Sequence, residues 1–414
     1  MAKLALNGGT PVRKKPFSKW PVFDDRELAA LKRVLESGSW GGYPAPNKEA
    51  RAFAERFAAS HDARYGILAA NGTVTLEVAL RAGGVKAGDE VIVPPLTWIA
   101  TAAAPVYINA VPVFVDIDPE TYCLDPRLIE AAVTEKTRAV IPVHLACSIA
   151  DMDAIMKIAE KHDLLVIEDC AHMHGGKWNG KGVGSIGHLG SFSFQSSKLM
   201  TSGEGGIILT SDKELEEKCH SLVNCGRKET GYNTFEGSLF GWNYRIGEFQ
   251  AAILSVQLER LEEQRARREA NVNYFIQRIE EVKGLEPLRR DPRITSFACY
   301  EFILRYASEA FDGIHRDRFA EALNAEGVPC DPYFYTPIYH RELFPLRASE
   351  YPCCRDRYGE EIDPHSVSCP VAERAAYQEA IWFHHSLFMG SREDIDDIVE
   401  AILKVRHNLD ELRR

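Results

Sequence analysis

The sequence predicts an α/β protein: a large domain on a mostly parallel sheet, followed by a small α+β domain. Three observations predict it. Between about residues 65 and 210, short apolar runs alternate with helix-forming segments, the pattern of strands covered by helices on both faces. Residues 248–283 contain neither Gly nor Pro and are rich in Ala, Leu, Glu, Gln and Arg, which predicts a long helix leaving the first domain. After Gly284 the pattern turns to shorter, mixed elements. The expected division is 1–247 for an N-terminal segment and the large domain, 248–284 for the connecting helix, and 285–414 for the small domain.

In chain order, residues 25–37 carry apolar side chains at helical spacing and stop at Gly38, and residues 48–59 repeat the pattern. The runs at 91–94, 113–116, 139–142, 164–167, 191–194 and 206–209 are apolar on both faces, as buried parallel strands must be. Residues 151–162 suit a helix crossing between two of them. Beyond the connecting helix, 296–306 is expected as a strand, 316–325 as a helix, 328–335 as another strand, and the last 22 residues or so as an amphipathic helix. The stretch 341–370, rich in Pro, Cys, Arg and Tyr, is expected to be irregular.

The composition, 45% hydrophobic and 26% charged, is ordinary for a soluble globular chain. A net charge of -11 repels phosphate backbones and anionic lipid, which argues against nucleic-acid and membrane partners. The N-terminus lacks the apolar stretch of a signal peptide, and no segment is apolar for long enough to span a bilayer, so a cytoplasmic location is expected. Ten cysteines, at 123, 147, 170, 219, 225, 299, 330, 353, 354 and 369, show no paired spacing and read as free thiols in a reducing compartment. Neither the adjacent Cys353 and Cys354 nor the pair His172 and His174 has the ligand spacing of a metal site, and no metal is expected.

The residues that carry chemistry lie at the ends of the apolar runs. Asp169 directly follows one of them, which puts it at the carboxyl edge of the sheet, where open α/β folds bind ligands. Twenty-nine residues later, Ser193-Phe194-Gln195-Ser196-Ser197-Lys198 closes another run, and Gly203-Glu204-Gly205-Gly206 follows. Earlier, Asn71-Gly72-Thr73 opens a helix whose first residues lack bulk, so its free amides and dipole suit a phosphate. Pyridoxal 5'-phosphate (PLP) needs these parts together: a lysine for the Schiff base, an aspartate to hold the ring nitrogen protonated, and amides and hydroxyls for the phosphate.

These motifs in this order resemble the DegT/DnrJ/EryC1/StrS family of sugar and cyclitol aminotransferases. Asn71-Gly72-Thr73, Gly88-Asp89-Glu90-Val91-Ile92-Val93-Pro94, Ile167-Glu168-Asp169-Cys170-Ala171-His172, Phe192-Ser193-Phe194 with Lys198, and Asn243-Tyr244-Arg245 carry the resemblance across most of the chain. It implies PLP-dependent transferase fold type I, like aspartate aminotransferase. It also implies roles: Lys198 as the Schiff-base lysine and proton shuttle, and Asp169 on the pyridinium. Gly72, Thr73 and Ser193 would hold the phosphate, and Trp98 would stack on the ring. Asn243 would reach the phosphate of a neighbouring subunit, which implies a homodimer with shared active sites. PLP would alternate with pyridoxamine 5'-phosphate, taking an amino group from L-glutamine or L-glutamate and giving it to a cyclic ketone.

Two positions depart from the family pattern. His172 stands where many relatives have glutamine near the cofactor's phenolic oxygen; an ordinary histidine titrates near neutrality and would shape the pH profile. Tyr339 replaces a histidine found in many nucleotide-sugar aminotransferases. The segments around Tyr339, Trp382-Phe383-His384-His385 and Leu96-Thr97-Trp98-Ile99-Ala100-Thr101 look more like inosose aminotransferases and aminohydroxybenzoate synthases. The expected acceptor is therefore a keto-cyclitol of the scyllo-inosose or 2-deoxy-scyllo-inosose type, with a nucleotide-linked keto sugar or an aminohydroxybenzoate-type dehydration as alternatives. Tyr339, His384 and His385 are candidate substrate contacts, and residues 39–43 a candidate specificity segment.

Overall fold

The computed structural model describes residues 3–42, 45–228, 235–342, 344, 346–360, 363 and 366–413. The large domain is built on β1 (Tyr65–Ala69), β2 (Glu90–Val93), β3 (Val111–Phe114), β4 (Thr137–Val140) and β5 (Leu165–Asp169). Two short strands, β6 (Lys177–Trp178) and β7 (Lys181–Gly182), precede β8 (Leu189–Ser193) and β9 (Gly206–Thr210). Seven of these form one sheet in the order β1-β9-β8-β5-β4-β2-β3. β9 alone runs against the rest, antiparallel to both β1 and β8, while β8, β5, β4, β2 and β3 pair in parallel.

Helices cover both faces, which is why the strands are apolar throughout. Val91, Val93 and Ile167 pack with Leu76 and Leu80 of α3 (Gly72–Ala82), Ala104 of α4 (Ala100–Tyr107) and Leu222 of α7 (Lys213–Val223). The alternate residues Ile92, Val140 and Val166 face the other way. They share a cluster with Phe53 and Phe57 of α2 (Lys48–Ser60), Ile129 of α5 (Pro126–Ala132) and Ile155 of α6 (Met152–His162). The period of two along a strand divides one sequence run between two cores.

The sequence-derived helix at 25–37 is α1 (Asp25–Ser37), started by a capping box between Asp24 and Glu27. The long helix is α8 (Glu248–Ile279), which packs against α1, α2 and the C-terminal helix Arg392–His407. Beyond it come β10 (Leu285–Pro287), β11 (Ile294–Ser296), β12 (Glu301–Tyr306), α9 (Arg316–Ala325) and β13 (Ala380–His384). An antiparallel sheet β10-β12-β13 forms the centre of the small domain, and β11 instead pairs with β6 of the large domain.

Several expectations needed correction. Residues 328–335 are not a strand; they make one bridge, Asp331 to Trp382. Pro329 and Pro332 lack the N–H groups that a ladder requires. The expected strand 296–306 is two strands in different sheets, with 297–300 passing between the domains. The last 22 residues do not form one helix: Ser391 caps Arg392–His407, and a short turn Leu409–Leu412 follows. The stretch 341–370 contains the short turns Pro352–Cys354 and Arg355–Tyr358. All ten cysteines are free thiols, and no helix among the described residues is long and apolar enough to cross a membrane.

Candidate active site

The site forms at the carboxyl edge of the parallel strands, where β5 ends in Asp169 and β8 runs on into the Lys198 loop. Asp169 is buried. Its Oδ2 accepts the Thr101 hydroxyl at 2.9 Å and its Oδ1 the Ala171 N–H at 3.2 Å. Burial pushes the carboxyl pKa up, opposed by those two hydrogen bonds and by the charge of Lys198. The Lys198 amine is buried too, and donates to no acceptor among the described residues. It lies 4.2 Å from the centre of the Tyr300 ring. Loss of solvation lowers its pKa to about 8, against the pull of Asp169 and Glu301. A less protonated amine is a better nucleophile toward a carbonyl.

Three contacts clamp the loop that carries this lysine. Trp20 Nε1 donates to Ser196 O at 3.1 Å, His385 Nε2 donates to Ser197 O at 3.0 Å, and the Ser197 and Tyr300 hydroxyls are 2.8 Å apart. The N-terminal segment and the small domain thus hold the reactive residue of the large domain.

Beside the lysine, α3 points its N-terminus into the cavity. The Asn71 side chain caps it by accepting the Val74 N–H at 3.0 Å. The Gly72 and Thr73 amides precede the first intrahelical bond and stay available. Gly72 is confined: a Cβ there would fall 2.6 Å from Ser193 Cβ. β9 comes close behind, since a Cβ on Gly206 would fall 2.6 Å from the Asn71 backbone. Two glycines therefore let the helix end, Ser193 and the reversed strand meet.

His172 is stacked on Tyr300 with ring centres 4.2 Å apart. Its Nδ1 accepts the Ala146 N–H at 3.2 Å, which puts its proton on Nε2, 3.1 Å from the Tyr335 hydroxyl oxygen. Burial, with Lys198 and His174 adding repulsion, pushes its pKa well below the ordinary value. The titration near neutrality expected of an ordinary histidine is therefore removed.

A cavity of about 1020 Å³ gathers Gly72, Thr73, Trp98, Asp169, His172, Ser193, Lys198 and His384, together with Tyr300 and Tyr335. Trp98 is 53% exposed at its rim. The remaining sequence-derived candidates lie elsewhere. Tyr339 is buried and does not line the cavity: its hydroxyl donates to Glu373 at 2.7 Å and accepts the Cys369 N–H at 3.1 Å. His385 is fully buried and bonds the Lys198 loop rather than lining the cavity. His384 does line the cavity; its Nδ1 accepts the Ser386 N–H, and burial lowers its pKa to about 4. Asn243 is exposed and does not line the cavity of its own chain. Of segment 39–43, Tyr43 lies outside the described residues.

Sequence reasoning missed Thr101, Tyr300 and Tyr335. Thr101 sits in the motif 96–101, but nothing marks its reach to Asp169; the two tyrosines come from loops of the small domain. His144, Glu168 and Cys170 cluster closely enough to raise a metal site, yet their ligand atoms are engaged. Glu168 accepts the Gly184, Ile186 and Gly187 amides and His144 Nε2 at 2.7–2.9 Å. His144 Nδ1 accepts the Ala150 N–H, and burial holds the Cys170 thiol protonated.

A buried amine, a buried carboxylate and a helix N-terminus lining one cavity suit a group-transfer enzyme built around an anionic carbonyl cofactor. Residues 21–403 match the DegT/DnrJ/EryC1/StrS aminotransferase family, and the chain belongs to it. It is 53% identical, over the whole of both chains, to a protein of Streptoalloteichus tenebrarius provisionally named L-glutamine:3-amino-2,3-dideoxy-scyllo-inosose aminotransferase. It is 41% identical, over 99% of both chains, to the L-glutamine:2-deoxy-scyllo-inosose aminotransferase of the same organism. Among solved structures, 3-amino-5-hydroxybenzoic acid synthase superposes with a TM-score of 0.82 at 33% identity, covering 94% of this chain and 99% of that one. The fold is that of PLP-dependent transferases of type I.

The family implies PLP, and the residues fit it: an amine without an acceptor, a carboxylate on the cavity floor, and two free helix amides where no larger side chain could enter. Gly72→Ala is expected to weaken PLP binding by about 10-fold or more while leaving the fold intact, as measured by cofactor titration and circular dichroism. Unchanged affinity would remove Gly72 from the phosphate cradle.

Proposed function

We propose that this aminotransferase moves the α-amino group of L-glutamine onto the ketone of a keto-cyclitol, an amino-dideoxy-inosose or a close relative. The full-length similarity to inosose aminotransferases carries this reading. PLP supplies an aldehyde that takes up the amino group and a ring that accepts electrons. Lys198 would hold the cofactor and carry the proton that the transfer requires; its lowered pKa suits both tasks. Asp169 keeps the ring nitrogen protonated by ion pairing. The Gly72 and Thr73 amides and Ser193 bind the phosphate, and Trp98 covers the ring at the cavity rim. His172 is held neutral by burial, with its Nε2 proton toward the Tyr335 hydroxyl, and the pair would face the cofactor's phenolic oxygen as glutamine does in relatives. His384, also neutral, suits a substrate of hydroxyl groups, which need donors and acceptors rather than charge.

The same reading includes a homodimer. Asn243 is exposed and outside its own cavity, and the apolar side chains of Phe240, Trp242 and Tyr107 are exposed, which supports a contact between copies. Sedimentation equilibrium is expected to give twice the chain mass; a monomer would contradict this part.

Purified PLP-loaded protein is expected to lose its visible absorbance with L-glutamine and regain it when the keto-cyclitol is added. Lys198→Ala should lower turnover by at least about a thousandfold. Formation of an aromatic amine from a cyclic precursor would instead favour the dehydration chemistry of the synthase it resembles. Full turnover by Lys198→Ala would refute the assignment.

A further inference from the structure

The donor and the acceptor proposed above differ in charge. L-glutamine brings an α-carboxylate into the cavity; a keto-cyclitol brings only hydroxyls and a carbonyl. One cavity must bind both in turn, and a cation other than Lys198, which is committed to the cofactor, would favour the donor alone. The cations near the cavity are mostly spoken for. Arg81 bonds Glu77 and the Phe240 carbonyl, and Arg245 bonds the Asn224 side chain.

Arg245 still keeps a buried Nε without a partner, and Arg268, beside the Trp20 ring, has none for its Nε and one Nη among the described residues. Arg341 differs from both in its position. It follows the turn Ile338–His340 and its guanidinium carbon lies 5.8 Å from the ring centres of both Trp98 and Tyr335, two walls of the cavity. No carboxylate pairs with it among the described residues, its side chain makes no hydrogen bond there, and its Nε is buried without a partner. Aromatic faces hold a cation only weakly compared with an anion. Burial also lowers its pKa. A half-buried guanidinium with no anion among the described residues can still take one, and a planar carboxylate matches its fork. On the same wall, the Tyr335 hydroxyl touches His172, which is stacked on the Tyr300 ring beneath Lys198.

We propose that Arg341 binds the α-carboxylate of the amino donor, between Trp98 and Tyr335, and so selects the donor without taking part in acceptor binding. This rests on the aminotransferase reading and adds the residue that discriminates its two substrates. Arg341 acts on the bound donor, and the proton transfer stays with Lys198.

The test compares the two half-reactions of the PLP-loaded enzyme by absorbance. Arg341→Met is expected to raise the half-saturating L-glutamine concentration by about 10- to 100-fold, the worth of a charge-assisted pair. The half-saturating keto-cyclitol concentration should stay within about twofold. Arg341→Lys should recover part of the loss, because it restores charge without the fork. The wild-type preference for L-glutamine over its decarboxylated counterpart, 4-aminobutanamide, should largely vanish in Arg341→Met. Equal effects on both substrates, no effect on either, or misfolding of both variants would overturn the inference. Wild-type enzyme that ignores L-glutamine would defeat the aminotransferase reading itself, whereas reactive wild type matched by Arg341→Met would defeat the inference alone.

Discussion

Burial of Lys198, whose amine has no hydrogen-bond acceptor among the described residues, is the constraint on which the rest of the site depends. An ammonium taken out of water is costly, and the protein offsets that cost with the Tyr300 ring, the nearby Asp169 and Glu301 charges, and a lowered pKa. Those partners come from different parts of the chain. Asp169 ends a strand of the large sheet, while Tyr300 and Glu301 enter from the small domain. The two domains must therefore be docked for the amine to be both buried and reactive. The clamps from Trp20 and His385 to the carbonyls just before Lys198 serve the same docking.

The sheet supplies the other half of the arrangement. Parallel strands deliver Asp169 and Ser193 to one edge, and the reversed strand β9 lets its first glycine pass against the start of α3. The helix end and the reactive lysine are thereby brought into one cavity. His172 and His384 line it as neutral donors, so its polarity is suited to hydroxyls, and the charge needed for an amino acid falls to a residue at its mouth.

Much of this was legible in the chain. Apolar runs alternating with helical segments announced the sheet, and Gly72, Asp169, Ser193 and Lys198 were found because strand ends and helix starts have local signatures. What was not legible depended on long-range packing. Tyr300 and Tyr335 sit in loops of the small domain, and no short pattern tells which way a loop residue points. That the Tyr339 hydroxyl is already satisfied by Glu373 and Cys369 could not be read from motif spacing. His384 and His385 are adjacent, yet one lines the cavity and the other supports the lysine loop; strand β13 ends between them, and its alternation was overlooked. Pro329 and Pro332 should have argued against a strand at 328–335. His172 looked titratable because burial is invisible in sequence.

The most direct measurement is to follow nitrogen. L-glutamine carrying ¹⁵N only at its α-amino group is incubated with the PLP-loaded enzyme and the keto-cyclitol, and the product is weighed by mass spectrometry. The account predicts one ¹⁵N in the amino-cyclitol for each turnover. Label left in the donor, or product nitrogen drawn from the unlabelled amide, would contradict it.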